Sequence, residues 1–145
     1  MESLDLRKSP PRGPREQMLG LYFLPRTIDK VRAFLPGGDP GDYFVEDERG
    51  MSAYVLRKIK VDPRDLSAAV AVAATESDVE AWISANADLG NVEKLNRQIS
   101  SVTLGMMDEE GLAVMRRYYA NVDAHPKTTT VFEFLEADDA VLAEH

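Results

Sequence analysis

Apolar side chains recur every three to four residues along most of this chain, and this spacing constrains its fold more than any other feature. Alternation at period two, which is typical of half-buried strands, is hardly visible. About six such segments joined by short links predict an all-α protein, a compact bundle of about six short helices that leaves room for one minor strand or irregular segment near residues 43–60. Because the chain has 145 residues and no internal repeat, we expect a single domain over residues 1–145.

The first helix has the clearest end. Its apolar stripe consists of Leu24, Ile28, Val31 and Leu35. The segment PGGDPG, Pro36 to Gly41, then ends the helix, because prolines and glycines disfavour its continuation. Pro25 stands either in the first turn of this helix or at a kink in a longer one. Residues 51–60 combine helical spacing with β-branched and aromatic side chains, and we assign them to a helix rather than a strand.

Polar residues at cap positions predict where two later helices begin. Asp62 followed by Pro63 is a typical N-cap and first helical residue, which predicts a helix over about residues 63–74. Ser77 is followed three residues later by Glu80, the spacing of a capping box. A second helix is therefore expected to begin at Ser77.

One apolar stripe in the second half of the chain is a candidate contact between copies of the protein. Its residues step by three and four and are Val92, Leu95, Ile99, Val102 and Met106. Two heptads are fewer than the three or four that indicate a coiled coil, so packing inside the bundle is the favoured interpretation. If the stripe were exposed, it would predict a homo-oligomer.

Composition and charge disfavour several classes of function. The net charge of −8 argues against nucleic acid as a partner, because such binding depends on neutralising phosphates. The longest apolar run, residues 68–74, is far shorter than the ~18–20 residues of a membrane span. The first ten residues lack the apolar core of a signal peptide, and the chain has no cysteine, so we expect a cytoplasmic protein without thiolate sites.

The basic residues are unevenly distributed. Residues 1–33 hold seven of the 17 basic residues but only four of the 25 acidic ones. We therefore expect the basic N-terminal part to pack against the acidic remainder.

Motifs for metals, cofactors and catalysis are missing. The two histidines, His125 and His145, have no ligand partner at helical spacing, and neither a phosphate-binding glycine motif nor a nucleophile with an organised base is present. We therefore expect no metal and no cofactor, the catalytic residues are unknown, and the sequence leaves open whether the protein is an enzyme.

The segment PPRGPREQMLGLYFLPRTIDK, residues 10–30, contains the strongest candidates for a binding site. On a helical wheel Arg26, Asp29 and Lys30 fall opposite the apolar stripe, on the same side as Tyr22. We therefore expect them on a solvent-exposed face, where Arg26 can pair with Asp29 at i+3.

The loop before this helix has a feature that simple solvent exposure does not explain. Its prolines hold Arg12 and Arg15 in a stiff segment, and rigid guanidinium groups bind carboxylates and phosphates well. If Gly20 lets this segment fold back, the cationic groups converge on one anion. The candidate ligand-binding residues are Arg12, Arg15, Tyr22, Arg26, Asp29 and Lys30. Alternatively, these arginines bind acids of the chain itself, Asp5 and Glu16 included, or they face solvent.

Four stretches of the sequence resemble a known family. They are LDL at residues 4–6, PPRGPRE, LPRTIDKVRAFLPG and, near the end, TTVFEFLEADD. Together they resemble the uncharacterised bacterial family called domain of unknown function 5069. Gly13 stands where the family has a serine, and FVEDERG lacks the cysteine that members often carry there. The resemblance implies a compact helical fold and no particular reaction, cofactor or partner. The matching positions are Pro11, Arg12, Pro14, Arg15, Glu16, Gly20, Pro25, Arg26, Asp29 and Lys30.

These observations predict a soluble helical domain that acts as a non-enzymatic binding or interaction module. Its expected partner is a protein or a small anionic ligand, with neither nucleic acid nor membrane involved. The alternative is an enzyme or sensor that binds a small anionic metabolite, a phosphate or carboxylate, at the N-terminal Arg/Lys cluster.

Overall fold

The computed structural model describes residues 1–45 and 50–143, and most of them are helical. Residues 46–49 and 144–145, His145 among them, lie outside the described residues. The predicted all-α architecture is confirmed, with seven α-helices in the described part rather than about six, and with one two-stranded sheet. In chain order the elements are β1 (Gln17–Met18), β2 (Leu21–Tyr22), α1 (Leu24–Ala33), α2 (Met51–Lys58), α3 (Pro63–Val72), α4 (Glu76–Asn86), α5 (Val92–Ser101), α6 (Glu109–Tyr118) and α7 (Val131–Ala143).

The small sheet lies earlier in the chain than expected. It is an antiparallel hairpin at residues 17–22, whereas residues 51–58 form a helix as assigned from their spacing. The two turn residues, Leu19 and Gly20, have φ values of 54° and 78°, the left-handed geometry of a tight hairpin turn. This turn sends the N-terminal segment back beside α1, where the Arg12 amide donates to Asp29 Oδ2 at 2.8 Å.

Helix α1 is buried on every side. All residues from 23 to 31 are buried, because the helix packs against α2, α3 and β1 while the N-terminal segment and α7 cover its charged face. The expectation that Arg26, Asp29 and Lys30 face solvent is therefore wrong: their exposed fractions are 0%, 5% and 3%. The predicted pairing of Arg26 with Asp29 is also wrong, since each binds a residue distant in sequence. Pro25 stands in the first turn and does not kink the helix.

The cap predictions were confirmed for α3 and corrected for α4. Asp62 caps α3 by accepting a hydrogen bond from the Arg64 amide at 2.8 Å. Helix α4 is capped by Thr75, not by Ser77, and its capping box is completed by the Asp78 carboxylate. The segment TESDVE contains two overlapping capping patterns, and the chain uses the earlier one.

The apolar stripe from Val92 to Met106, which was a candidate contact between copies of the protein, does not lie on a single helix. Helix α5 ends at Ser101, and Met106 lies in a separate 3₁₀ turn with 70% of its surface exposed. Leu95 and Ile99 are buried in the core of the same chain, and the partly buried Val92 and Val102 pack against that core. Homo-oligomer formation through these residues stays a prediction, as does the single-domain organisation.

Candidate functional site

An apolar cavity of about 340 Å³ lies between α1, α2, α5, α6 and α7. We call it the Lys30 cavity, after the one cationic side chain among the described residues that line it. Its inner wall is formed by buried aromatic and aliphatic side chains, and its outer rim by exposed ones. The inner wall includes Phe23, Ile99, Met115, Val131 and Leu135, and the rim includes Gln98, Met106 and Asp108.

The Lys30 amine lies at the inner wall of this cavity. Its Nζ donates a hydrogen bond to Ser52 Oγ at 3.3 Å, and Ser52 Oγ is 3.0 Å from Thr27 Oγ1. Nζ also lies 5.1 Å from the centroid of the Phe23 ring and 5.6 Å from that of Phe44, within range of cation–π attraction. Among the described residues, no carboxylate forms an ion pair with this amine.

The surroundings of Lys30 disfavour its charged form. Burial lowers the pKa of Lys30 well below its ordinary value, and the nearby charge of Arg26 lowers it further, while the Asp139 carboxylate partly opposes both effects. Ser52 stands in the first turn of α2, so the amine also lies near the positive end of that helix dipole. These surroundings therefore shift the equilibrium of the Lys30 amine from its charged towards its neutral form.

A strained backbone positions the aromatic wall. Phe23 has a φ of 73°, a left-handed conformation that is rare for a bulky residue and costs on the order of 1–3 kcal/mol. Its amide donates to the Pro14 carbonyl at 3.0 Å, and its ring stacks on Phe132 with the centroids 5.7 Å apart. Such strain is found most often at functional sites, where the surrounding structure enforces it.

Arg26 is engaged by α7. Its two terminal nitrogens bind the Asp139 carboxylate at 2.5 and 3.1 Å, and Tyr43 donates its hydroxyl to the same carboxylate at 2.9 Å. Burial together with the Asp139 charge raises the pKa of Tyr43 above its ordinary value. Because Arg26 has no exposed surface, this pair joins α1 to α7 inside the protein.

Arg12 and Arg15 also bind carboxylates of this chain. Arg12 binds Asp29 through Nε and Nη2 at 3.1 and 3.0 Å, and it binds Glu76 of α4 as well. Arg15 is half exposed and pairs with Glu136 at 3.1 Å. The pairs with Glu76, Glu136 and Asp139 confirm that the basic N-terminal part packs against the acidic remainder.

The six predicted residues therefore lie in one region of the protein, but they do not line one common cavity. The Tyr22 amide donates to Asn96 Oδ1 at 2.9 Å, and the Tyr22 ring packs against Phe132 in an edge-to-face arrangement. Of the six, Lys30 lines the apolar cavity, whereas Arg12, Arg15 and Arg26 point at acidic side chains. Their convergence on an external anion stays a prediction. The acids that they bind are Asp29, Glu76, Glu136 and Asp139, rather than Asp5 and Glu16.

Sequence reasoning missed the aromatic and hydroxyl partners of Lys30. Phe23, Thr27 and Lys30 are spaced at i, i+4 and i+7, which puts them on one face of a helix, and this signal was available. Ser52 and Phe44 carried no such signal, because only the packing of α2 and the preceding loop brings them to α1.

The described part of the chain contains neither a cluster of metal ligands nor a helix that could span a membrane. Within residues 1–45 and 50–143, no group of three or more histidine or acidic side chains is placed to hold a metal ion. In the same ranges, none of the helices combines the length and the apolar character needed to cross a membrane.

Comparison with known proteins agrees with the sequence resemblance. A family model described as domain of unknown function (DUF5069) matches residues 8–141, which include the hairpin, the cavity and the buried Arg26 pair. A search of curated proteins found no match. The chain therefore belongs to the family of domain of unknown function DUF5069.

Proposed function

We propose that the protein is a binding module for a small, mostly apolar molecule that carries one acidic group. The apolar body of this molecule occupies the Lys30 cavity, and its acidic group pairs with the Lys30 amine. The observation that carries the proposal is a buried lysine that lines a largely apolar cavity.

The walls of the cavity favour an apolar ligand. Small-molecule sites usually measure about 300–1,000 Å³ and are lined mainly by apolar and aromatic groups with a few polar ones, and this cavity fits that description. Four methionines, Met51, Met106, Met107 and Met115, contribute to the lining. Methionine side chains are flexible and polarizable, so the cavity can adapt to ligands of different shape.

The buried amine favours an acidic group on that ligand. Among the described residues no carboxylate pairs directly with Nζ, and Asp139 only partly opposes the effect of burial, so a ligand carboxylate beside Nζ offsets the cost of burying the ammonium. The first turn of α2, where Gly50 and Met51 line the cavity, also favours negative charge. Asp108 stands at the exposed rim, where it repels an acid, so the ligand enters with its acidic end towards Lys30.

This proposal keeps the small anionic ligand expected from the sequence but assigns it to one residue of the predicted cluster. The charges of Arg12, Arg15 and Arg26 are compensated by carboxylates of the chain, which supports a structural role for them. Binding without catalysis is favoured because the described lining of the cavity offers no paired acid and base beside Lys30.

Three eight-carbon probes that differ only in their polar group test the proposal. Octanoate should raise the Tm of the protein, because a ligand that binds the native state at 100 times its Kd adds about 2.7 kcal/mol of stability. For a chain of this size that corresponds to roughly 5–10 °C. Octylamine should give no shift and 1-octanol a smaller one than octanoate. Equal shifts with octanoate and 1-octanol, or none with either, would refute the recognition of an acid.

A matched pair of variants assigns the effect to the cavity. Lys30→Met keeps the length of the side chain but removes its charge, and it should abolish the advantage of octanoate over 1-octanol. Lys94→Met removes an exposed lysine of α5 and should leave that advantage unchanged.

A further inference from the structure

We propose that Lys30 also captures apolar aldehydes as an imine inside the cavity. This inference rests on the proposed binding site, because the aldehyde must enter the same cavity to reach Nζ. It extends the ligand class from acids, which pair with the ammonium form, to carbonyl compounds, which react with the free amine.

The hydrogen bonds around Lys30 determine whether its nitrogen lone pair is free to attack a carbonyl group. The Thr27 hydroxyl donates to the Phe23 carbonyl at 3.0 Å, so Thr27 Oγ1 can only accept from Ser52. The Ser52 hydroxyl is thereby used as a donor to Thr27 and accepts from Lys30 Nζ. This chain of hydrogen bonds holds the amine through one N–H and leaves the lone pair of the neutral amine free to attack a ligand.

The cavity supplies the conditions that such an attack requires. Burial and the Arg26 charge favour the neutral amine, which is the nucleophilic form. The apolar inner wall around Phe23 and Leu135 can pack against the alkyl chain of the aldehyde and hold its carbonyl group near Nζ. A lysine desolvated in an apolar pocket is one of the recognised ways to activate an amine towards carbonyl groups.

The reaction needs no further reagent. The Nζ lone pair forms a bond to the carbonyl carbon, the C=O π electrons move to the oxygen, and this oxygen is protonated to give a carbinolamine. The C–O bond then breaks, and the oxygen leaves as water. The two hydrogens of the neutral amine end in that water molecule, and a C=N bond joins Nζ to the ligand. The step is reversible and involves no oxidation.

Other lysines provide internal controls because they lie in water. Lys8 and Lys60 have side-chain exposures of 82% and 75%, and each is 3.5 Å from a carboxylate, of Asp5 and Asp88 respectively. Neither lysine lines the Lys30 cavity, so neither amine has an apolar wall beside it to bind the alkyl chain of the aldehyde. Selective reaction at Lys30 therefore requires the folded protein.

Reductive trapping with octanal tests this inference. The full chain is incubated at neutral pH with octanal and sodium cyanoborohydride, which converts any imine to a stable secondary amine, and the modified lysines are located by peptide mass spectrometry. We expect an octyl group to appear faster on Lys30 than on Lys8, Lys60 or Lys94, because burial favours the neutral amine of Lys30 and the cavity holds the alkyl chain beside it. In urea the preference should disappear. Equal labelling of all lysines in the folded protein would overturn the inference.

The octanal experiment and the octanoate experiment test the two proposals separately. If octanoate raises the Tm in a Lys30-dependent way but octanal does not label Lys30, acid binding stands and the capture of aldehydes is overturned. If octanal labels Lys30 but octanoate has no effect, the capture of aldehydes stands and acid recognition is refuted. Lys30→Arg keeps a cation without a nucleophilic amine, so it should abolish labelling at residue 30; Lys30→Met serves the same purpose if the arginine does not fit.

Discussion

Replacing Lys30 with methionine should change how the stability of the protein depends on pH. The buried amine has a lowered pKa in the folded state and its ordinary value of 10.5 when the chain unfolds. Between these two values unfolding takes up a proton, so the free energy of unfolding rises with pH. Lys30→Met removes this proton uptake, while the packing changes that it causes do not depend on pH.

The magnitude follows from one proton. In the interval between the lowered pKa and 10.5, the stability of the wild-type protein relative to Lys30→Met should increase by up to about 1.4 kcal/mol per pH unit. Below the lowered pKa the stability difference between the two proteins does not change with pH, because Lys30 is an ammonium group in both the folded and the unfolded state. In that range the wild-type protein bears the full cost of burying the ammonium, and the variant does not. Among the described residues, the charged groups that influence Lys30 are Arg26 on its own helix and Asp139 on α7. Tyr119 also lines the cavity, and burial raises its pKa to about 12, so it does not titrate in this range.

Urea unfolding of both proteins at pH 7, 8, 9 and 10 measures this difference directly. Lys94→Met, which removes an exposed lysine outside the cavity, is the control for the loss of one lysine. A difference between wild type and Lys30→Met that is the same at pH 7 and pH 10 would refute the view that the amine is perturbed by burial.

Five further substitutions test three features of the fold: the buried ion pair, a helix cap and a close backbone approach. Asp139→Asn leaves the buried guanidinium of α1 without its counterion and should lower the free energy of unfolding by about 3–5 kcal/mol in urea titrations; a loss below about 1 kcal/mol would contradict the role of this pair. Thr75→Ala should cost about 1 kcal/mol and Ser77→Ala much less, and the reverse order would show that the cap of α4 is wrongly assigned. Gly38→Ala would press a methyl group against two backbone oxygens, one of them at 2.9 Å, and should lower the Tm, whereas Gly13→Ala meets nothing within 4 Å and should not.

The helices were predictable from the sequence because their signals are local. The stripe in α1, the cap at Asp62 and the breaker PGGDPG each depend on residues within a few positions of one another. The start of α4 was misplaced by two residues because Thr75 and Ser77 both have an acid three positions later. Local patterns therefore predicted the number and type of elements better than their boundaries.

The environment of the charged residues could not be predicted, because it depends on contacts between distant parts of the chain. A helical wheel places Arg26 and Lys30 opposite the apolar stripe, and without knowledge of α7 that face is expected to be solvated. In the structure Asp139, more than a hundred residues later, covers Arg26, and Ser52 of α2 reaches Lys30. The sequence thus identified the candidate segment, but only the tertiary packing separates the paired arginines from the lysine that lines the cavity.

Titration of the Lys30 Cε resonance by NMR, with and without octanoate, tests the central claim most directly. Selective ¹³C labelling of lysine, with Lys30→Met to assign the signal, gives the pKa of each lysine in the folded protein. We expect the pKa of Lys30 to lie below the ordinary lysine value of 10.5 in the free protein, and to rise when octanoate binds because a carboxylate beside Nζ stabilises the ammonium form. If the pKa of Lys30 has its ordinary value and octanoate leaves it unchanged, the cavity is not an acid-binding site of the kind proposed.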